Sequence, residues 1–110
     1  GNYIKPADSK PYLIIGEVKY GKPILDRVIK PDVSIGDASR CALISIDSTL
    51  KSDLTVGPPI DFVVYKKNRY KILSQKCLNI TDDEYSKVCN QWSDGIFKIF
   101  NSFPRFDWEK

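Results

Sequence analysis

The 110-residue sequence predicts one α/β domain, of the α+β kind, with about three helices, a single strand and a β-hairpin. Apolar residues make up 42% of the chain and charged residues 28%, which is typical of a soluble globular domain. Two long stretches repeat apolar residues at helical spacing, and a third alternates them at strand spacing. No repeat, linker or low-complexity tract divides the chain, so we assign residues 1–110 to one domain.

The first third of the chain predicts a strand, a helix and a turn. Residues 12–15 form a short apolar run closed by Gly16, which is typical of a buried strand. Residues 17–29 follow with apolar side chains at roughly helical spacing. Because proline is tolerated in the first turn of a helix but not inside one, we expect this helix to start, kink or restart near Pro23. Residues 30–32 then form a turn.

A second helix is predicted from Ser34 to about Lys51. The Ser34 hydroxyl and the Asp37 carboxylate are spaced to satisfy free amide groups of a first helical turn. One face carries small and apolar side chains, which indicates close packing on a sheet, while Asp47 lies on another face. The members of that face are Ile35, Ala38, Ala42, Ile46 and Thr49, with Cys41 and Leu50 beside them.

A hairpin is predicted over residues 60–78. Residues 60–67 alternate at strand spacing, with Phe62 and Val64 on one face. A two-residue turn at Asn68-Arg69 then leads into the second strand.

The last helix has the strongest pattern. Thr81 and Glu84 predict a capping box at its start, and apolar residues repeat at helical spacing until Pro104. We interpret this apolar stripe as helix core rather than as a ligand site. The stripe consists of Tyr85, Val88, Cys89, Trp92, Ile96, Ile99, Phe100 and Phe103.

The composition excludes several classes of protein. Histidine is absent, which excludes His-dependent triads and removes the commonest metal ligand. Cys41, Cys77 and Cys89 support neither a disulfide framework nor a zinc site, and they indicate buried positions in a reducing compartment. We therefore predict a cytoplasmic protein without metal or cofactor.

No apolar run approaches the roughly 20 residues of a membrane span. Since methionine is also absent, we expect a processed, tagged or truncated product with sequence upstream.

Three clusters could carry chemistry, and each has a plainer interpretation that we favour. The three acids of residues 82–84 could bind a metal or form an acid/base pair, but acids in a first helical turn also complement the helix dipole. The polar stretch of residues 47–55 could support a catalytic group or satisfy its own helix end. A basic hairpin tip could contact phosphates or simply protect strand edges. Its members are Lys66, Lys67, Arg69 and Lys71.

Three motifs occur in a recognisable order and spacing: Tyr20-Gly21-Lys22-Pro23-Ile24-Leu25-Asp26-Arg27, then Asp47-Ser48-Thr49, then Val56-Gly57-Pro58-Pro59-Ile60-Asp61. Together they resemble the C-terminal half of the bacterial proteasome-related peptidases called Anbu, the ancestral beta subunit group. The similarity spans nearly the whole chain. It implies part of the four-layer αββα sandwich of N-terminal-nucleophile hydrolases.

The resemblance also implies a chemistry. In this superfamily a self-processed N-terminal residue such as threonine attacks the peptide carbonyl, and its free α-amine, or a water beside it, handles the proton without a histidine. The nucleophile, its supporting lysine and its acid belong to the N-terminal half of the family fold. We therefore expect no catalytic residue in this chain, and no activity from it alone.

The resemblance further implies residues that support the active site. Related proteasome subunits hold the nucleophile's amine with an Asp-x-x-Ser pair, which aligns here with Ser52 and Thr55, while Asp53 is one position off. Both aligned positions keep a hydroxyl that can hydrogen-bond. Gly57 follows the pair, and Gly16 falls near the Ser-Gly turn that completes this support in proteasomes.

We therefore predict the C-terminal portion of a threonine-type, proteasome-type peptidase subunit in intracellular protein degradation. The alternatives are a standalone non-catalytic scaffold or binding module and, less favoured, a small basic nucleic-acid binder. The expected partners are further copies of the chain, in a dimer, ring or spiral, and the N-terminal half of the subunit. The complete protein is expected to bind a peptide or protein substrate. We expect no association with a membrane. Because half a sandwich exposes a sheet face, we expect self-association through the face that carries Phe62 and Val64.

Overall fold

Three helices and an antiparallel hairpin form the described part of the chain, which confirms the predicted α+β class. The computed structural model describes residues 5–8, 11–14, 19–67, 71–79 and 81–109. In chain order the elements are α1 (Lys22–Val28), α2 (Ile35–Ser52), β1 (Ile60–Tyr65), β2 (Ile72–Leu78), α3 (Asp83–Asn101) and a 3₁₀ turn (Asp107–Glu109).

The starts of α1 and α2 confirm the sequence predictions. Proline occupies the first turn of α1, where its missing amide hydrogen costs nothing. At α2 the Ser34 hydroxyl accepts a hydrogen bond from the Asp37 amide at 3.0 Å. The helix then continues to Ser52, one residue beyond the predicted end.

The predicted capping box of α3 is wrong. The residue that precedes the helix is Asp82, and its carboxylate accepts a hydrogen bond from the Asn79 amide at 2.8 Å rather than from the helix. Glu84 accepts a bond from Lys76 of β2 at 2.6 Å. Thr81 lies in the turn before the cap. The Glu84 carboxylate, which the local sequence pattern assigned to the helix cap, thus bonds to a lysine of β2 instead.

The strand predicted over residues 12–15 is also wrong for residues 12–14. Residues 11–14 have no strand conformation, while Ile15 and Gly16 lie outside the described residues. The Tyr12 hydroxyl instead donates to the carboxylate of Asp26 in α1.

The two predicted strands of the hairpin are confirmed, but the face predicted to be exposed is the one that turns inward. Its turn at Asn68-Arg69 lies outside the described residues. Ile60, Phe62 and Val64 alternate as the half-buried face of β1. Val63 and Tyr65 point outward, 53% and 54% exposed. The expectation that Phe62 and Val64 would meet another sheet is therefore wrong, because Phe62 packs toward the helices.

The pairing of the two strands shifts at one point. Ile60 opposes Leu78 and the register holds as far as Val64 and Ser74, but Tyr65 then opposes Ile72. Leu73 is the extra residue of this bulge, and bulges increase local strand twist.

The core lies where the hairpin meets α2 and α3. Leu78, Tyr85 and Cys89 are buried there, and half-buried apolar side chains of α2 and β1 pack around them. The predicted stripe of α3 is core only in its first half, since it is 48% exposed at Ile96 and 66% exposed at Phe100.

The cysteines confirm two of three predictions. Cys41 and Cys89 are buried free thiols, whereas Cys77 is exposed. The prediction for Cys77 is wrong because this residue opposes Asp61 on the outer face of the hairpin.

Candidate functional site

The last residue of α2 and the loop after it carry four of the five predicted support residues, Ser52, Asp53, Thr55 and Gly57. Asp53 caps the C-terminus of the helix, and its amide donates to the Thr49 carbonyl at 2.8 Å. One oxygen of the Asp53 carboxylate accepts two hydrogen bonds from Thr55, from the amide at 2.9 Å and from the hydroxyl at 2.6 Å. The loop is therefore a tight turn built around one carboxylate.

These bonds favour the charged form of the Asp53 carboxylate. The hydroxyl and the amide of Thr55, in that order of effect, hold the pKa of Asp53 below its ordinary value of 3.8. The carboxylate is thus ionised at neutral pH. It sits at the C-terminal end of α2, where the helix dipole also places negative partial charge. Both effects favour a cation or an ammonium group at this loop.

The loop is open on its outer side. Leu54 is 97% exposed, and Ser52 and Thr55 are exposed as well. Apart from Gly57 and its two chain neighbours, no described residue has an atom within 4 Å of the position that a Cβ at Gly57 would take. The structure therefore brings Asp53 and Thr55 into contact and places Ser52 and Gly57 beside them, while Gly16 lies outside the described residues.

A polar contact that the sequence interpretation missed anchors this loop to α3. Asp47 is buried, although it was predicted to lie off the packed face. The Lys51 ammonium lies 3.2 Å from its carboxylate and donates to the Ser93 hydroxyl at 2.9 Å. This chain of contacts ties the last turn of α2 to α3. The Asp47 to Lys51 spacing of four residues is a recognisable helix pair, but nothing local points to Ser93.

The same carboxylate affects a buried thiol. Burial, and then the negative charge of Asp47, raise the pKa of Cys89 to about 11. Burial also raises the pKa of Tyr85, with the neighbouring Cys89 and Asp47 adding to the effect. These groups stay neutral at physiological pH and act as core.

An apolar groove of about 680 Å³ runs beside α2 toward the loop. Its lining includes Tyr12, Leu25, Ala42, Ile46 and Val56. The groove offers apolar surface next to the candidate site.

The other sequence candidates form no site in the described residues. Lys66, Lys67 and Lys71 are exposed at the hairpin, and Arg69 lies outside the described part. The acids of residues 82–84 occupy the start of α3, as the helix interpretation predicted. Over the described ranges, no group of three or more acidic or cysteine side chains is placed to hold a metal. None of the described helices is long and apolar enough to cross a membrane.

Comparison with known proteins gives matches among solved structures. No protein-family model and no curated protein matches the chain. Anbu (ancestral beta-subunit) from Yersinia bercovieri matches with a TM-score of 0.91 and 38% identity, over 96% of this chain and 47% of that one. The Gly-1 mutant of Anbu from Hyphomicrobium sp. strain MC1 matches with a TM-score of 0.88 and 42% identity, over 96% and 46%.

A third match is the helical assembly of the Anbu complex from Pseudomonas aeruginosa, with a TM-score of 0.88 and 38% identity over 96% of this chain and 44% of that one. The chain therefore spans about half the length of the Anbu chains that it matches.

Proposed function

This chain belongs to the Anbu family of proteasome-like proteins, and we propose that it forms the C-terminal half of a threonine-type peptidase subunit of that family. The subunit acts in protein degradation in the cytoplasm. Its nucleophile comes from the other half, so residues 1–110 alone do not hydrolyse peptides. Two kinds of observation support this proposal, the match of 38–42% identity over 96% of the chain and the chemistry of the loop after α2.

The loop after α2 holds the α-amine of the N-terminal nucleophile. When this amine accepts the proton of the attacking hydroxyl, it becomes an ammonium ion. The ionised Asp53 carboxylate and the negative end of α2 stabilise that charge. Thr55 positions the carboxylate through two hydrogen bonds, and the exposed hydroxyl of Ser52 is available to bond the amine directly. The single observation that carries this role is the Asp53–Thr55 turn.

The outer face of the hairpin meets the second sheet of the sandwich. Val63 and Tyr65 are about half exposed there, and Ile72 is 49% exposed. Sheets that pack face to face cover such apolar side chains across about 10 Å. The other half of the subunit supplies that sheet and covers the open loop. Complete subunits then associate with one another, as the helical assembly of the Pseudomonas aeruginosa complex supports.

Two measurements test the proposed function. The purified chain is incubated with a panel of fluorogenic peptides, and no turnover is expected. Turnover that is lost in Ser52→Ala would contradict the proposal, because it would place a working nucleophile within this half.

The second measurement addresses the loop. In a subunit completed with the other half of an Anbu chain, the α-amine of the N-terminal residue is titrated by NMR. Asp53→Asn is expected to lower the pKa of this amine, because the ammonium loses a neighbouring carboxylate. Asp32→Asn is the matched control, since Asp32 is exposed and lies before the opposite end of α2. Equal amine pKa values in the parent and Asp53→Asn would refute the amine-holding role.

A further inference from the structure

The last turn of α2 leads directly into the groups that the proposed role places beside the amine. Ser52 is the final residue of this helix, and Asp53 caps it. The last carbonyl groups of a helix have no partner within it, and helix ends therefore fray. The attraction between a carboxylate and an ammonium weakens as their separation grows. Asp53 can therefore hold the amine effectively only if the turn that carries it is fixed.

Two neighbouring side chains fix this turn. Leu50 packs against the buried core cluster. Lys51, one residue nearer the loop, places its ammonium 3.2 Å from the Asp47 carboxylate and donates to the Ser93 hydroxyl at 2.9 Å. Because Asp47 belongs to α2 itself, its contact does not restrain the turn against another element. The bond to Ser93 does restrain it, since Ser93 lies in α3.

The bonding of Ser93 differs from that of three other serines in these helices. Ser39 and Ser48 of α2 donate to carbonyl oxygens of the preceding turn at 2.7 and 2.9 Å, and Ser86 of α3 does so at 3.3 Å. Such bonds are a common arrangement for a hydroxyl inside a helix. The Ser93 hydroxyl instead accepts a hydrogen bond from Lys51 of the neighbouring helix, so it connects two elements.

We propose that Lys51 and Ser93 are positioning residues for the loop that holds the α-amine. Their contact fixes the last turn of α2 against α3 and so keeps Asp53 in place when the amine becomes charged. This role rests on the proposed function, because it acts through Asp53. It also gives α3 a part in the site, although none of the predicted support residues lies in that helix.

Removing the Ser93 hydroxyl tests this role without changing any charge. In the subunit completed with the other half of an Anbu chain, the α-amine of the N-terminal residue is titrated by NMR. Asp53→Asn should lower the pKa of this amine by about 1–3 pH units, the usual effect of losing a carboxylate within about 4–6 Å. Ser93→Ala leaves the carboxylate charged but its turn less fixed, so a smaller decrease of roughly 0.3–1 pH unit is expected. Lys51→Ala would be less informative, because the loss of a nearby cation by itself raises the amine pKa.

Three variants separate positioning from a general loss of structure. Ser86→Ala is the matched control, since it removes a hydroxyl of the same helix that bonds within that helix, and the parent pKa is expected. Ser93→Thr keeps the hydroxyl and is expected to keep the parent pKa. In an Asp53→Asn chain, adding Ser93→Ala should cause no further decrease, because Ser93 acts through the missing charge.

Hydrogen exchange in the chain itself gives a second measurement. The Asp53 amide donates to the Thr49 carbonyl at 2.8 Å and reports whether the last turn is intact. Ser93→Ala should make this amide exchange roughly 2- to 10-fold faster, the factor that corresponds to the loss of one hydrogen bond. Ser86→Ala should leave the exchange rate unchanged, and circular dichroism verifies that both variants are folded.

Each outcome decides the proposal. An amine pKa in Ser93→Ala equal to that of the parent, while Asp53→Asn lowers it, would overturn the positioning role and leave the proposed function intact. A decrease that Ser86→Ala reproduces, or that persists in the Asp53→Asn chain, would overturn it as well. If Asp53→Asn itself has no effect, the amine-holding role fails and the positioning role fails with it. Unchanged exchange of the Asp53 amide in Ser93→Ala would also contradict the proposal.

Discussion

Replacing Gly21 with alanine tests how closely α1 approaches α2. Gly21 is the buried N-cap residue of α1, and its φ of −97° suits any L-residue, so alanine brings no backbone strain. The added methyl group would lie 2.3 Å from the Ser45 hydroxyl oxygen, 3.2 Å from the Ser45 carbonyl oxygen and 3.4 Å from the Thr49 hydroxyl oxygen. Because the first distance is far below van der Waals contact, the side chain of Ser45 or the whole of α1 must shift.

The size of the effect follows from these three contacts. Rotation of the Ser45 hydroxyl relieves the first contact, but the carbonyl of a helix cannot rotate away. Overpacking of this kind typically costs about 1–3 kcal/mol. Alanine also restricts the unfolded chain, which returns about 0.4–1 kcal/mol. We therefore expect Gly21→Ala to lower the free energy of unfolding by about 1–2 kcal/mol. For a domain of this size that lowers Tm by about 4–8 °C.

Thermal and urea unfolding, followed by circular dichroism at one protein concentration, measure this change. The matched control is the same substitution in a Ser45→Ala chain, where the hydroxyl oxygen is absent. There Gly21→Ala is expected to cost about 1 kcal/mol less, a coupling that contacting residues commonly show. Equal stability of Gly21→Ala and the parent chain, or strictly additive effects of the two substitutions, would refute the close approach.

Three further predictions concern the contacts of α2 and α3. Lys51→Ala should lower the free energy of unfolding by about 1–2 kcal/mol in urea, because the Asp47 side chain, 11% exposed, loses its cation. Asp82→Ala should cost about 0.5–1 kcal/mol through loss of its bond to a backbone amide, whereas Thr81→Ala should change stability by less than about 0.3 kcal/mol. Burial raises the pKa of Cys89 from 9.0 to about 11, so this thiol ionises at lower pH in the unfolded chain than in the folded one. The free energy of unfolding should therefore fall as pH rises from 9 to 11. Cys89→Ala should reduce this dependence of stability on pH.

Controls for these predictions come from the same helices. Lys87→Ala removes an exposed lysine of α3 and should leave stability within about 0.3 kcal/mol of the parent. An equal loss in Lys51→Ala and Lys87→Ala would refute a structural role for the Asp47 contact. A larger loss of unfolding free energy in Thr81→Ala than in Asp82→Ala would support the capping box instead. Stability that stays constant between pH 9 and pH 11 would contradict the neutral buried thiol.

The parts of the fold that follow from neighbouring residues could be predicted from the sequence. Ser34 caps α2 because its hydroxyl reaches an amide three residues along, and this geometry depends on no other element. Pro23 marks the start of α1 for the same local reason. The alternation of residues 60–65 fixes the strand and its two faces, although it does not say which face turns inward.

The parts that depend on distant contacts could not be predicted. Glu84 fits a capping box by its spacing, but its carboxylate accepts a hydrogen bond from Lys76 of β2. Asp47 is buried beside the Lys51 ammonium, which also donates to the Ser93 hydroxyl across the junction of α2 and α3. In the candidate site the sequence identified the loop by resemblance, whereas the turn that Thr55 makes around Asp53 emerged from the structure.

The central claim is that this chain is one half of a proteasome-type subunit, and reconstitution tests it most directly. The chain is mixed with the complementary half of the Yersinia bercovieri Anbu subunit, and the mass of the complex is measured by sedimentation. A stable complex with the two halves in equal number is expected. Val63→Glu with Tyr65→Glu is expected to abolish this complex, because the double change charges the sheet face that the other half covers. Two halves that sediment independently, or a complex unaffected by this change, would contradict the claim.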